Sequence, residues 1–275
     1  MIDFFFLFVA GLVGGFLGGL LGIGGGIIYI IVIPASLQHL GVPPAEMVQY
    51  TIANSIVASL SSALSANYFL IKTKHFYPTE VVTIGFFGVI SSLLVLHGVV
   101  NTSWYSRGAF NVVIVLLLVY MLLKTLANAA KPLPVENLEQ EGRGLRLGLA
   151  GLASGTVSAL SGLGGGIIII PILNSVFKMD IKKANSISLG AIGITSLTLT
   201  LSSMLETPQQ PFHFYNVGYV IFPVVLALSL GVIIASPFGV KAGSLLSSRV
   251  ISYLFSFFLG LVILRKIIEL AAFPG

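Results

Sequence analysis

"GGFLGGLLGIGGGIIYI", residues Gly14 to Ile30, puts a cluster of glycines inside the first apolar stretch of the chain. The phrase returns as "SGLGGGIIIIP", Ser161 to Pro171, at an offset of 140 residues. Each copy carries a glycine triplet, Gly24-Gly25-Gly26 and Gly164-Gly165-Gly166, with a proline downstream at Pro34 and Pro171. Glycine lets the backbone leave helical geometry without a steric penalty. At membrane depth such backbone survives only where it is buried in protein or lines a cavity. Each cluster therefore reads as a broken membrane helix. The apolar piece beyond it would start with free amide donors and a positive dipole end, a ready anion site.

The composition requires a membrane. Of 275 residues, 56% are hydrophobic and 8% are charged, and the mean hydropathy is +1.03. Soluble domains carry roughly a quarter charged residues. Apolar runs lie at about 4–37, 47–70, 79–99, 108–126, 146–177, 184–205, 216–239 and 250–272, and about 20 apolar residues span a bilayer. The first and fifth runs are too long for one plain helix, and both hold a glycine cluster. The N-terminus lacks the basic region and cleavage site of a signal peptide, so it reads as the start of the first membrane segment. There is no cysteine, which excludes disulfides and thiolate metal sites. The net charge of +5 has no clustered Lys and Arg with interleaved aromatics, so nucleic acid is not an expected partner. No His, Asp or Glu cluster lies at membrane depth, as a membrane enzyme would need, and no cofactor or metal is expected.

The halves align as a duplicated unit. "NSIVASLSSAL" from Asn54 is set against "TSLTLTLSSML" from Thr195 at an offset of 141, close to that of the glycine clusters. The units are a first repeat at 1–127, a polar linker at 128–146 and a second repeat at 147–275. If each glycine-broken element leaves on its own side, or crosses twice, the second half is inverted. Lys72, Lys74, Lys124, Lys131, Arg143, Arg146, Lys178, Lys182, Lys183, Lys241 and Arg249 then share one side. Only Arg107, Arg265 and Lys266 lie on the other. The alternative, with both halves pointing the same way, divides these residues almost evenly. The positive-inside rule prefers inversion, with a cytoplasmic linker and both termini outside. The fold class expected is an all-α polytopic membrane protein. It has about eight transmembrane segments in two inverted four-segment repeats, the first segment of each broken by glycine.

Substrate contacts are assigned to Gly24, Gly25, Gly26, Gly164, Gly165 and Gly166, and to Asn54, Ser55, Thr195 and Ser196, which occupy matching places in the aligned helices. Tyr29, Gln49, Tyr50 and Asn185 are secondary candidates. Gly11 to Gly19 read as small residues for close helix packing. Ser59 to Ser62 and Thr198 to Ser203 read as hydroxyls bonded back to their own helix. Glu46, Glu80, Arg107, Lys178, Lys182, Lys183 and Glu206 fall near segment ends as interfacial anchors. His97 is read the same way, and Glu269 with Arg265 as a local helix pair. Amide and hydroxyl donors without a central charge fit a small anion better than a cation.

These residues resemble the TauE/SafE family, the sulfite exporter or toluene sulfonate uptake permease group. The resemblance covers essentially the whole chain. It rests on "GLLGIGGGIIYIIVIP", its echo "SGLGGGIIIIPIL", the "ANS" and "ITS" helices, and the C-terminal "LSLGVIIASPFGVKAGSLLSSRVISYLFSFFLGLVIL". It implies a multi-pass inner-membrane permease for sulfite, a sulfonate or another small organic anion. The family's motif falls on Gly22, Gly24, Gly25, Gly26, Gly162, Gly164, Gly165 and Gly166. Its Thr-Ser pair is Thr195-Ser196 in half two, but Asn54-Ser55 in half one. The expected partners are a small anionic solute and the lipid bilayer, with a homodimer as one option for assembly. A passive anion channel on the same architecture is the alternative function.

Overall fold

The computed structural model describes residues 2–98, 107–129, 143–162, 164–210 and 215–272. Most of the 128–146 linker lies outside them, as do the side chains of His97, Arg107, Lys266 and Glu269. The eight apolar runs resolve into ten helices, because the first and fifth are each cut in two. The first half holds α1 (Ile2–Leu21), α2 (Gly26–His39), α3 (Met47–Lys72), α4 (Pro78–Gly98) and α5 (Arg107–Ala129). The second holds α6 (Arg143–Ser161), α7 (Gly166–Ser175), α8 (Ile181–Leu205), α9 (Phe222–Leu245) and α10 (Ser248–Ala272). A two-stranded hairpin, β1 (Asn216–Val217) and β2 (Val220–Ile221), precedes α9. Among the described residues, five helices are long and apolar enough to cross a membrane: α1, α4, α8, α9 and α10. α3 is as long, at 26 residues, but its serines and asparagines make it more polar.

The packing repeats between halves. α1 lies along α9 as α6 lies along α4, and α3 packs on α9 as α8 packs on α4. α3 crosses α8, and α5 pairs with α10. Exchanging each helix for its counterpart reproduces these main pairings, although α5 also packs on α7 and α1 on α3 without a comparable match. The contact residues obey the same exchange. Gly11 and Gly15 rest on the backbone of Leu228 and Val232, while Gly151 and Gly155 rest on Ile84 and Gly88. Glycines at this spacing let backbones touch, which is how membrane helices associate tightly. The packing role expected for Gly11 to Gly19 is what they perform.

α2 doubles back beside α1. Tyr29 lies against Gly14, and Gly25 against Gly18, so the two helices form a hairpin that turns at the glycines. α7 does the same on α6, with Gly165 beside Ser154. The α3–α9 seam is polar. Ser61 Oγ meets Ser229 Oγ at 2.8 Å, Ser236 Oγ donates to Ser62 O at 3.0 Å, and Ser65 Oγ donates to Ile233 O at 2.9 Å. Hydroxyl pairs of this kind join helices where lipid offers no partner. Ser61 also bonds back to Val57, as expected, but these serines additionally bridge helices.

The Gly155 contact gives a direct test. Gly155→Leu puts a branched side chain against the Gly88 backbone and should cost about 1–3 kcal/mol, the usual range for overpacking. A lowered melting temperature in detergent is the readout. Gly144→Leu, where nothing lies within 4 Å of an added Cβ, should leave it unchanged.

Candidate functional site

Both glycine clusters break the helix, and they break it in the same way. Gly22, Gly24 and Gly25 have φ of 74°, 70° and 78°; Gly162, Gly164 and Gly165 have 67°, 73° and 72°. L-residues with side chains avoid this region, so three glycines per turn are a geometric requirement. Gly25 and Gly165 cap the returning helices. Gly25 O accepts from the amides of Ile28 and Tyr29, and Gly165 O from those of Ile168 and Ile169. Gly26 and Gly166 are therefore the first helical residues, with amides that have no acceptor within their own helix.

The two breaks meet at the α3–α8 crossing. A Cβ on Gly24 would stand 3.4 Å from Ile192 Cγ2 and 3.5 Å from Ser59 Cβ. A Cβ on Gly164 would stand 3.6 Å and 3.7 Å from the same two atoms, and 3.7 Å from Ile23 O. Ser59 and Ile192 lie near the midpoints of α3 and α8, so the breaks sit at mid-depth in the helix layer. Each break is held by a serine of the opposite half. Ser188 Oγ donates to Gly22 O at 2.8 Å, and Ser55 Oγ donates to Gly162 O at 3.1 Å.

These bonds correct the register expected for the repeat. Ser55 is the counterpart of Ser188, at an offset of 133, so Asn54-Ser55 does not occupy the place of Thr195-Ser196. Residues spaced by four share a helix face. Ser55, Ser59 and Ala63 therefore form one stripe, and Ser188, Ile192 and Ser196 the matching stripe on α8.

The candidate side chains differ in what they have left to give. The Asn54 amide is fully engaged: Nδ2 donates to Tyr50 O and Tyr219 O, and Oδ1 accepts from Ile221 N. It anchors the β1–β2 hairpin to α3. Ser55 holds a break. Thr195 bonds back to Ala191 O at 3.1 Å. Ser196 Oγ is buried without a partner, and so is Ser59 Oγ between the breaks. The expectation for Ser59, a bond back to its own helix, is not what the structure shows. Among the secondary candidates, Tyr29 is wholly buried with an unpartnered hydroxyl, Gln49 is exposed, and Tyr50 packs edge-on against Tyr219.

The space around the crossing is uneven. A cavity of about 470 Å³ opens between the α3–α4 turn, the start of α8 and the end of α9, with Gly19, Asn185, Leu189 and Val240 among its walls. The repeat places Ala159, Ile52, Ile56 and Leu96 at the equivalent positions. There they close into an apolar cluster with Val95 and Leu199. Among the described residues, one end of the site opens into this cavity, where Leu189 and Val240 pack with Ala66 and Leu70, and at the other end the equivalent side chains pack on one another.

Beyond that packed end lies a polar clasp between halves. Glu46, 4% exposed, accepts from Gln209 N at 2.8 Å, Gln210 N at 3.1 Å and Tyr219 Oη at 2.9 Å. The expectation of an interfacial anchor therefore gives way to a buried inter-half ligand of the hairpin loop. Burial alone would raise the Glu46 carboxyl, but the Gln209 amide, the Tyr219 hydroxyl and the Gln210 amide together hold it below its ordinary 4.5. Burial and the Glu46 charge push the Tyr219 hydroxyl up, so it stays a donor.

A family model described as "Sulfite exporter TauE/SafE" matches residues 7–265. A relative described as a "Probable membrane transporter protein", from Methanocaldococcus jannaschii, is 28% identical over 259 residues, covering 93% of this chain and 92% of its own. No solved structure matches the chain significantly.

The clasp predicts a pH dependence. A carboxyl with a depressed folded pKa contributes stability above its unfolded pKa and loses it as pH falls through the folded value. Glu46→Gln should therefore lower the melting temperature at neutral pH. The gap from wild type should close only in acid below the ordinary carboxylate range.

Proposed function

Because the chain belongs to the sulfite exporter TauE/SafE family of membrane transporters, we propose that it is an inner-membrane permease moving a small sulfur-containing or organic anion by alternating access at the paired helix breaks. It is a multi-pass membrane transporter and not an enzyme. The observation that carries the mechanism is a cavity that reaches toward the paired breaks from one end, while the equivalent residues at the other end are packed in an apolar cluster. A passive channel needs one continuous path, and this arrangement favours a permease over it.

The inverted repeat has two supports. The exchange of the main packing partners supports a pseudo-twofold relation between the halves. The basic turns at 72–77, 178–183 and 241–251 also gather at one end, around one cavity. Arg143, at the start of α6, joins that end through a 2.8 Å ion pair with Glu80 at the start of α4. This is the grouping the positive-inside count prefers, and it makes the cavity cytoplasmic. The units are then a first repeat at 1–127, a cytoplasmic linker at 128–146 and a second repeat at 147–275, with both termini outside.

The solute-contacting groups in this reading are the backbone of Gly24 to Gly26 and Gly164 to Gly166, with the unspent hydroxyls of Ser59 and Ser196. Asn54 and Ser55 act by positioning the hairpin and the opposite break, and Thr195, turned back to Ala191 and packed against Gly88, acts by seating α8 on α4. Backbone amides at a helix start suit an oxyanion better than a cation. Assembly as a homodimer is part of the reading.

Uptake of radiolabelled sulfite, sulfonates and small carboxylates into sealed proteoliposomes tests the function. Concentrative flux under an ion gradient supports a permease, purely downhill flux supports a channel, and no flux ends the reading. Gly164→Ala tests the break itself. Its Cβ meets only ordinary contacts, so the change costs backbone strain of about 1–2 kcal/mol without displacing a neighbour. It should insert normally and lose most transport. The absence of native cysteine makes the gates accessible to labelling. Phe69→Cys, half-buried in the cavity lining, should react with a polar thiol reagent from the cytoplasmic side at rest. Ile56→Cys should react from the outside, and only under turnover.

A further inference from the structure

The innermost wall of the cavity holds a polar group that the transport reading has not used. Asn185 is 6% exposed and lines the cavity. On its other side it lies against the first break: a Cβ on Gly22 would fall 2.7 Å from Asn185 Cβ. The residue thus stands between the hollow and the glycines. Its Nδ2 donates to Leu20 O at 3.2 Å, while Oδ1 is buried without any partner. Turning the amide over would set two oxygens face to face, so this orientation is fixed by Leu20. The unspent atom is an acceptor. A buried acceptor left unpaired is costly, and it is met by a ligand that brings a donor.

The rest of the cavity favours negative charge. Lys182 and Lys183 line it, with His75 at its exposed end. The Lys182 ammonium rests on the neutral Ser244 carbonyl at 2.9 Å, and that of Lys183 over the Tyr77 ring at 5.0 Å. Asp180 is the one carboxylate in the lining, and it is turned to its own surroundings. It accepts from Lys182 N at 2.8 Å and from Ser248 Oγ at 2.6 Å. A basic rim with an acceptor at the inner wall calls for one ligand carrying both features. The opposite half has Ile52 in the place of Asn185, so this selection operates at one end only.

We propose that the cavity selects small anions that carry their own O–H or N–H donor, and that Asn185 Oδ1 reads that donor as the solute passes from the cavity to the first glycine break. The inference rests on the anion-transport reading for its sense of passage. The selection itself is a property of binding.

Matched solutes test it. 2-Hydroxyethanesulfonate against ethanesulfonate, and glycolate against acetate, differ by one hydroxyl within each pair. Ligand-induced melting shifts of the purified protein and flux in proteoliposomes are both measured. Wild type should bind the hydroxylated member at least about tenfold more tightly in either pair. Asn185→Leu should bring the ratio close to one. Asn185→Gln, which keeps a neutral amide acceptor, should retain part of the preference. Equal binding of the two members by wild type overturns the proposal, as does an unchanged ratio in Asn185→Leu. Discrimination in binding without any flux would uphold it while ending the transport reading. Flux without discrimination would do the reverse.

Discussion

A main chain that unwinds inside a bilayer must find partners for its own polar groups, because lipid supplies none. Here each interruption finds one in the opposite half of the molecule. Ser188 reaches the carbonyl of Gly22, and Ser55 reaches that of Gly162. The reciprocity ties the two repeats together at their weakest points and fixes where α3 and α8 cross. It also brings Gly24 and Gly164 onto the same two side chains, Ser59 and Ile192. Each break takes its hydroxyl from the other half, so the two halves are joined at their interruptions.

Symmetry of the backbone does not require symmetry of the space around it. The stripes Ser55-Ser59-Ala63 and Ser188-Ile192-Ser196 occupy equivalent positions with different chemistry. Ser59 opposes Ile192, and Ala63 corresponds to Ser196. The helix ends diverge further: Ile56 and Leu189 are both buried in apolar clusters, but Ile52 stands for Asn185, so a polar side chain lines the cavity at one end only. Glu46 and its three donors reinforce the other end by stitching the second half's hairpin loop to the start of α3. Opening that end means separating a hydrogen-bonded clasp as well as an apolar plug. The cavity end carries an apolar cluster of its own, Ala66, Leu70, Leu189 and Val240, but no clasp of this kind among the described residues.

Features imposed by backbone geometry were legible in the sequence. Clusters of glycine announce positive φ, because hardly any other residue adopts it: Gly22, Gly24 and Gly25 take it, as do Gly162, Gly164 and Gly165, while the last glycine of each triplet starts a helix. The small-residue ladder in α1 announces close packing, and the family resemblance holds over nearly the whole chain. What failed was the register between α3 and α8. A nearly constant offset assumes that both halves have equal length between break and long helix. They do not: α2 has 14 residues and α7 has 10, and the offset falls from 140 at the glycines to 133 at the serines. Serine-rich helices offer many similar alignments, so side-chain identity could not resolve a shift of about two turns.

The same cause hid the roles of individual polar residues. A serine's sequence context does not say whether its hydroxyl turns back to its own helix or outward. That depends on which neighbour crosses there. Ser61 does both, Thr195 turns back, and Ser59 does neither because the two breaks occupy the space beside it. Asn54 looked like a free amide in a lipid-facing sequence, yet it is consumed by the hairpin main chain, which has 2-residue strands and few ladder bonds of its own. A polar side chain in a membrane helix first satisfies whatever irregular backbone lies within reach. Only what remains unspent can serve a solute. Of the hydroxyls and amides left unspent, those at the site are Ser59 beside the breaks, Ser196 one turn along α8 from Ile192, and Asn185 on the cavity wall.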